Sequence, residues 1–430
     1  MIQNAMNALD LAYGFGLAAS APYWGLRPAA RRKVFSALKQ RMGDVPTRSD
    51  DRPAVMIHAV SLGEINATRS LVTQLTRRRP NLRFIISTTT ETGFAQGQKL
   101  YANNSDITLI RYPLDFSLAV NRVLDRQRPS AVVLMELELW PNFMAQCRRR
   151  KIPMVLVNGR ITPRSYGRYR WIAPVTKKMF GALSATCAQD QEYAERFISL
   201  GSNPQTTHVT GTMKFDTAEI TERVAGDADL AMSLQLDRAD PLWVCGSTGP
   251  GEEEICLDVH HRLLKDFPNL RLAIVPRKPE RFDEVARLIA ARGFKLLRRS
   301  SSTVEIMNRP VILGDTMGEL RKFYSLANVV FVGRTLIDQG QRQRGSDMIE
   351  PAALGKPTVV GPFTDNFREV MNAFRQSNSM IEVHSADELF AATAKLLREP
   401  GDIGKRAQRV VAAQQGATAK HADIVFGLIQ

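Results

Sequence analysis

The chain has 430 residues, of which 44% are hydrophobic, and it carries a formal net charge of +15. This length predicts two domains rather than one compact core, and the composition argues against gross disorder. The positive charge favours phosphate-bearing partners, and sugar nucleotides, anionic lipids and nucleic acids all meet that description.

The first predicted element is an apolar segment at the N-terminus. Residues 11–26 contain no formally charged side chain and are interrupted by Pro22. About 20 apolar residues are needed to cross a bilayer, and a secretory signal would have basic residues before the apolar stretch rather than after it. We therefore expect a short membrane-associated helix in residues 1–42, with its basic end against anionic headgroups. The alternative is an amphipathic helix packed on the first domain.

The rest of the chain alternates short apolar runs with longer helical segments, a pattern that predicts parallel sheets covered by helices. The predicted strands of the first half are 54–57, 83–87, 131–135, 154–157, 184–187 and 208–209. Those of the second half are 242–245, 272–275, 311–313, 329–332 and 358–360. A polar stretch separates the halves. The predicted domains are 43–220 and 241–430, with a linker at 221–240 and a C-terminal helix in the second domain.

Ligands of open parallel sheets bind beyond the carboxyl ends of the strands. Glu64 follows the first predicted strand, and Glu136 follows the third. Ser61 and Glu64 have the spacing of a capping box for the helix 65–77. A carboxylate in this position can also serve as a general base, and the spacing alone leaves both roles open.

Other residues at predicted strand ends have similar alternatives. Glu136 and Glu138 are expected on one face of a strand end, either in the chemistry or paired with basic residues. Lys214 either offsets charge on a leaving group or is simply solvated. Arg277 either contacts a phosphate or a base or is an ordinary surface arginine in a loop. The four cysteines have no C-x-x-C spacing and predict reduced, buried thiols without a metal site.

A third segment predicts a nucleotide site in the second half. A loop with Gly345 leads into a helix that is expected to begin near Ser346 and to carry Glu350. The free N–H groups of a helix start suit a phosphate, and Glu350 could accept hydrogen bonds from a ribose. This arrangement is typical of the donor half of a glycosyltransferase.

Together, these segments resemble the Kdo (3-deoxy-D-manno-oct-2-ulosonic acid) transferase family of lipopolysaccharide assembly. The resemblance runs along nearly the whole chain, in one order. The matching segments are 58–64, 88–93, 112–115, 138–142, 158–160, 214–216, 275–277, 314–320 and 350–353.

The resemblance implies a GT-B fold, with two Rossmann-like domains facing a central cleft. It implies an inverting transfer from CMP-Kdo to a lipid A precursor (lipid IVA), without metal or cofactor, at the cytoplasmic face of the inner membrane, and no nucleic-acid partner. Glu64 matches the general base, and Glu136 and Lys214 match residues that stabilise the transition state. The CMP contacts implied are Pro276, Arg277, Met317, Gly318, Glu319, Asp347 and Glu350. On the acceptor side they are Ser61, Gly63, Thr90 and Glu91.

The chain departs from the family pattern at two places. The family usually has a Gly-Gly-x-Asn run where this chain has Arg344-Gly345-Ser346-Asp347, and a glycine where it has Arg334. Lost glycines restrict the approach of a backbone to a ligand, and Arg334, Arg342 and Arg344 can offset the charge of Asp347.

Three other functions fit parts of the sequence. The first is another GT-B sugar-nucleotide transferase or epimerase, which CMP and UDP binding would separate. The second is a basic nucleic-acid-binding protein, although no DNA- or RNA-binding signature is present. The third is a membrane scaffold without catalytic activity.

Overall fold

The computed structural model describes residues 7–26, 37–237, 240–301, 309–340 and 345–429. The chain forms two compact units. The first contains the chain up to Thr217 and again from Gly416, and the second runs from Ala218 to Gln415. Each unit has its own parallel sheet, so the predicted fold class of two Rossmann-like α/β domains is confirmed.

The sheet of the first unit has seven strands within the described residues, in the order β3-β2-β1-β4-β5-β6-β7, and all of its pairings are parallel. The strands are β1 (Ala54–His58), β2 (Arg83–Thr88), β3 (Ile107–Arg111), β4 (Ala131–Met135), β5 (Met154–Gly159), β6 (Ala185–Ala188) and β7 (Thr207–Val209). The central strands β1 and β4 are buried along their whole length. Burial on both faces explains why these strands are continuous apolar runs rather than alternating ones.

Two helices precede β1, and further helices connect the strands, as parallel pairing requires. They are α1 (Ala8–Leu26), α2 (Leu38–Arg41), α3 (Leu62–Arg78), α4 (Glu91–Tyr101), α5 (Ser117–Gln127), α6 (Pro141–Arg149), α7 (Pro163–Trp171), α8 (Ala173–Phe180) and α9 (Gln191–Leu200). Single 3₁₀ turns lie at Pro204–Thr206 and Phe215–Thr217.

The second unit repeats this plan with the strand order β10-β11-β9-β8-β12-β13-β14 among its described residues. Its strands are β8 (Leu242–Thr248), β9 (Arg271–Pro276), β10 (Leu296–Arg298), β11 (Val311–Leu313), β12 (Val329–Val332), β13 (Thr358–Val360) and β14 (Ile381–Glu382). Its helices are α10 (Asp227–Ser233), α11 (Glu252–Leu263), α12 (Phe282–Ala291), α13 (Leu320–Leu326), α14 (Ile349–Ala353), α15 (Arg368–Gln376), α16 (Ala386–Arg398) and α17 (Ile403–Gln414). Single 3₁₀ turns lie at Pro279–Arg281 and Asp365–Phe367.

Two segments belong to different parts of the fold from those predicted. Residues 221–240 are not a linker, because they contain α10, whose buried Asp227 accepts a hydrogen bond from the Ser325 hydroxyl at 2.6 Å in the second unit. The C-terminal helix α18 (Ala417–Gly427) packs in the first unit instead of the second. Its Ala422 and Val425 are fully buried in the core beneath α3.

The start of α1 is held by buried polar groups of the first unit. The Asp10 carboxylate, which is 2% exposed, accepts a hydrogen bond from the Asn142 amide at 3.1 Å. The Tyr13 hydroxyl donates to Asp115 at 3.1 Å, and Asp115 also accepts the backbone N–H of Asn142 at 3.0 Å. Residues 14–19 of the same helix are exposed. Among the described residues, no helix combines the length and the apolar character that crossing a bilayer requires.

Candidate active site

The strand order of the first sheet reverses between β1 and β4, which are neighbours although β2 and β3 intervene in the chain. In open parallel sheets, ligands bind at the carboxyl ends of the two strands at such a reversal. The segment 59–64 follows β1, and the segment 136–140 follows β4. The structure therefore brings Glu64 and Glu136 to the same edge of one sheet.

Glu64 folds back onto the N-terminus of its own helix, α3. Its two carboxylate oxygens accept the backbone N–H groups of Val60 at 2.9 Å and Ser61 at 3.2 Å, while the Ser61 hydroxyl accepts the N–H of Glu64 at 3.2 Å. The capping box predicted from the spacing is thus confirmed. The side chain keeps 9% of its surface exposed, and each oxygen retains a lone pair for a further donor.

The surroundings of Glu64 shift the pKa of its carboxyl group upward. Burial raises the pKa of its carboxyl group above the ordinary value, and the negative charge of Glu138 raises it further, while the backbone N–H groups oppose the shift. Burial likewise raises the pKa of Glu138, as does the charge of Glu136. Three carboxyl groups thus influence one another at this edge, and one of them is Glu138, for which the sequence left a chemical and a structural role open.

Glu136 has a backbone conformation that the strand pattern did not predict. Its φ is +55°, so the chain leaves the extended conformation at the end of β4. The prediction that Glu136 and Glu138 lie on one face of an extended strand end is therefore wrong. A non-glycine residue in the left-handed region is strained, and such residues concentrate at functional sites. Glu138 accepts a hydrogen bond from the Trp140 indole at 3.3 Å.

The residues predicted for the acceptor lie beside Glu64. A Cβ on Gly63 would meet only the Ser61 hydroxyl, at 3.9 Å, so the approach to this point is open. The Thr90 hydroxyl donates to the Val60 carbonyl at 2.7 Å and caps α4 by accepting the N–H of Gly93 at 3.1 Å. Glu91 forms a two-pronged ion pair with Arg111, at 2.7 and 2.6 Å. Ser61 and Gly63 are exposed, whereas the Glu91 carboxylate already has this structural partner.

Lys214 lies after a loop that is fixed to the end of β5. The Asn158 side chain accepts the backbone N–H of Met213, the residue before Lys214, at 3.1 Å. Asn158 itself has a φ of +53°, and its N–H donates to the buried His421 ring at 2.8 Å. His58, at the end of β1, is fully buried, hydrogen-bonded to Ser87 and stacked on Tyr112, so it has a structural role.

The sheet of the second unit reverses between β8 and β12. Glu252, fully buried at the start of α11, connects the loops after these two strands. One carboxylate oxygen accepts the N–H groups of Gly249 at 2.9 Å and Arg334 at 2.6 Å, and the other accepts those of Thr335 at 2.9 Å and Leu336 at 3.0 Å. Four donors from the backbone thus organise this edge around one carboxylate.

Several of the residues predicted to contact the donor lie at this edge. Arg277 follows the buried Pro276 at the end of β9, and its guanidinium-bearing side chain is exposed. Burial raises the pKa of Glu350 to about 7, and the charge of Asp347 adds to this increase, while the charges of Arg321 and Arg277 oppose it. Asp347 accepts the N–H of Ile349 at 2.8 Å. The helix that carries Glu350 begins at Ile349, later than predicted, and Arg342 and Arg344 lie outside the described residues.

Three further residues predicted to contact the donor, Met317, Gly318 and Glu319, follow β11. Met317 is 67% exposed, and Gly318 has a φ of +85° with open space where a Cβ would be. The Glu319 carboxylate is engaged by the Arg299 guanidinium at 2.9 Å and by the Thr316 hydroxyl at 2.6 Å. The Glu319 side chain therefore stabilises the loop through these two contacts.

Comparison with known proteins identifies the family. The family model for 3-deoxy-D-manno-octulosonic-acid transferase (kdotransferase) matches residues 36–217. The 3-deoxy-D-manno-octulosonic acid transferase of Haemophilus influenzae is 34% identical over 407 residues, covering 93% of each chain. The chain belongs to the 3-deoxy-D-manno-octulosonic acid transferase family. The Bordetella pertussis transferase is 32% identical and covers 86% of each chain.

A solved structure supports the fold of this Kdo transferase family member. The UDP-GlcNAc 2-epimerase of Neisseria meningitidis, bound to UDP-GlcNAc, superimposes with a TM-score of 0.58. The match covers 87% of this chain and all of the epimerase, at 14% identity. At this identity the likeness concerns the fold alone, which is of the GT-B class.

Proposed function

We propose that this glycosyltransferase moves Kdo from CMP-Kdo to a hydroxyl group of a lipid A precursor, lipid IVA, in lipopolysaccharide synthesis. The acceptor oxygen attacks the anomeric carbon of Kdo as the bond from that carbon to the CMP phosphate breaks. Configuration is inverted because attack and departure occur on opposite faces. The hydroxyl proton passes to Glu64, and CMP leaves.

The observation that carries the proposal is the position and environment of Glu64. Its carboxylate lies at the reversal of the first sheet, where ligands of open parallel sheets bind. Burial and the charge of Glu138 raise the pKa of Glu64, which makes the ionised form a stronger base. Capping and proton transfer are compatible, because each oxygen uses one lone pair for the backbone and keeps another.

We assign transition-state stabilisation to Glu136 and Lys214, as the family resemblance implies. Support for a special role of Glu136 comes from its left-handed backbone, whose N–H donates to the Val157 carbonyl at 3.0 Å. Lys214 follows a segment fixed by Asn158, so its backbone has a defined position. An ammonium group there would counter the negative charge that develops as the phosphate departs.

We assign donor binding to the second unit. The exposed Arg277 guanidinium would neutralise the phosphate of CMP, so departure would need no divalent cation. Glu350 and Asp347 would accept hydrogen bonds from hydroxyl groups of CMP-Kdo. Because the pKa of Glu350 is about 7, both of its protonation states are accessible near neutral pH. A cation or a hydrogen-bond donor placed against Glu350 would favour the ionised form.

The exposed face of α1 supports a location at the cytoplasmic face of the inner membrane. Leu11 is 63% exposed and Phe15 is 77% exposed, whereas Asp10 and Tyr13 fix the same helix to the first unit. Trp171, at the end of α7, is 91% exposed. Apolar side chains presented from a rigidly held helix would insert into the headgroup region, and the basic surface would attract anionic lipids.

Incubation with CMP-Kdo and a tetra-acylated lipid A precursor tests the proposal, with mass spectrometry of the lipid product. We expect the lipid to gain the mass of one or more Kdo residues, and we expect no gain with a UDP-sugar donor. Release of CMP without modified lipid, or transfer from the UDP-sugar alone, would refute the assignment of donor and acceptor.

A further inference from the structure

Arg334 has an unusual backbone conformation at the carboxyl edge of the second sheet. It follows β12 directly, and its φ is +59°, in the left-handed region. Glycine adopts this conformation without strain, whereas an arginine does not. A purely structural position would therefore be better served by glycine. The strain points to a use for the arginine side chain.

The surrounding structure holds Arg334 in this conformation. The buried Glu252 accepts its N–H at 2.6 Å and the N–H groups of Thr335 and Leu336 beyond it. A Cβ on Gly249 would lie 3.0 Å from Cγ of Arg334, so the glycine leaves room for the arginine stem. The backbone of Arg334 is thus rigid, and its side chain starts from a defined point.

A second arginine approaches the same point. The N–H of Arg277 donates to the Thr248 carbonyl at 3.1 Å, and a Cβ on Gly333 would lie 2.5 Å from Cα of Thr248. The loops that carry Arg277 and Arg334 therefore meet at the end of β8. Burial lowers the pKa of Arg334, and the positive charge of Arg277 lowers it further. Two like charges at one strand end become favourable when an anion binds to both.

We propose that Arg334 and Arg277 together bind the phosphate of the donor nucleotide. The inference rests on the proposed function for the presence of a nucleotide, and it adds a residue that none of the predicted donor contacts includes. A planar guanidinium can give two parallel hydrogen bonds to phosphate oxygens. The phosphate is thereby held by side chains, in a loop where glycine would have offered only its backbone.

The test is calorimetric titration of the full-length protein with CMP, UDP and cytidine. Arg334→Gly relieves the backbone strain and removes the guanidinium, and Arg334→Lys keeps the charge. Arg309→Gly is the matched control, because Arg309 has a φ of +49° in the same unit but precedes β11, at the opposite edge of the sheet.

We expect Arg334→Gly to bind CMP roughly 10- to 100-fold more weakly, the loss that follows from one charged hydrogen-bonded contact. Its melting temperature should equal or exceed that of the wild type, and cytidine affinity should not change. Arg334→Lys should recover part of the loss, and Arg309→Gly should bind CMP normally.

Equal CMP affinity in wild type and Arg334→Gly would overturn the inference while leaving the proposed function intact. So would an equal loss in Arg309→Gly, or an equal loss for cytidine. If the wild type binds UDP but not CMP, and Arg334→Gly loses that binding, the phosphate site stands and the CMP-Kdo assignment fails. Binding of neither nucleotide would refute both.

Discussion

Replacing Glu64 by glutamine separates its role as a helix cap from its proposed role as the general base. The carboxylate accepts two backbone N–H groups, those of Val60 and Ser61. Glutamine has one acceptor oxygen and directs an NH₂ group toward the second donor, so one partly buried N–H loses its partner. This loss costs about 1–2 kcal/mol of unfolding free energy. In a unit of this size, the melting temperature should fall by a few degrees.

The effect on transfer should be much larger. Removing a general base slows the chemical step by about 10²–10⁴-fold, and a 10³-fold loss corresponds to about 4 kcal/mol in activation free energy. The assay is the initial rate of Kdo transfer from CMP-Kdo, measured well below the melting temperature of Glu64→Gln. CMP affinity should be unchanged, since the proposed donor contacts lie in the other unit.

The second unit contains a matched control. Ser385 and Glu388 form the same type of cap on α16: the Ser385 hydroxyl accepts the N–H of Glu388 at 3.1 Å, and Glu388 accepts the N–H of His384 at 2.8 Å. Glu388→Gln should lower stability no more than Glu64→Gln, because this cap is exposed, and it should keep full activity. If Glu64→Gln retains more than about a tenth of the wild-type rate, the base assignment is wrong.

The buried His421 ring, the Glu252 carboxylate and the exposed face of α1 each predict the effect of a substitution. Burial lowers the pKa of His421 to about 4. Its neutral ring therefore stabilises the fold fully above pH 6.5, and the stability difference between wild type and His421→Gln in urea titrations should shrink by up to about 3 kcal/mol toward pH 4. A pH-independent difference would contradict this. Glu252→Gln leaves backbone donors unpaired and should destabilise the second unit by roughly 3 kcal/mol, so an unchanged melting temperature would argue against the four-donor network. Replacing Leu11 and Phe15 by glutamate should reduce sedimentation with anionic vesicles at least about tenfold without changing thermal stability, and equal sedimentation would exclude α1 as the membrane contact.

The predicted strands other than β7 were found because buried parallel strands are continuous apolar runs, whereas β7 was found although it is largely exposed. The three strands that were missed, β3, β10 and β14, are outermost strands of their sheets. Their burial is partial, and their apolar runs are weaker. The placement of α18 could not be predicted from its own residues. It depends on Asp216, which accepts the N–H groups of Gly416 and Thr418, about 200 positions further along the chain.

The candidate site was predictable only where its geometry is local. The capping box of Ser61 and Glu64 follows from a spacing of three residues and was found. The influence of Glu138 on Glu64 joins two strand ends that are distant in the chain, so no local pattern reveals it. The left-handed φ of Glu136 was also hidden, because such a conformation is expected of glycine rather than glutamate.

Strained residues recur at the carboxyl ends of strands in both units. Within the described residues, Asn158 in β5 and Arg334 after β12 both have positive φ, and each is held by a buried side chain that accepts its N–H. For Asn158 that acceptor is His421, and for Arg334 it is Glu252. These two acceptors are fully buried, and they fix the backbone from which the proposed contacts project. Substituting them should therefore change substrate binding through geometry, whereas substituting Arg334 itself should change it through charge. The salt dependence of CMP affinity separates the effect of geometry from the effect of charge. Only the loss of a phosphate contact should make CMP affinity less dependent on salt concentration.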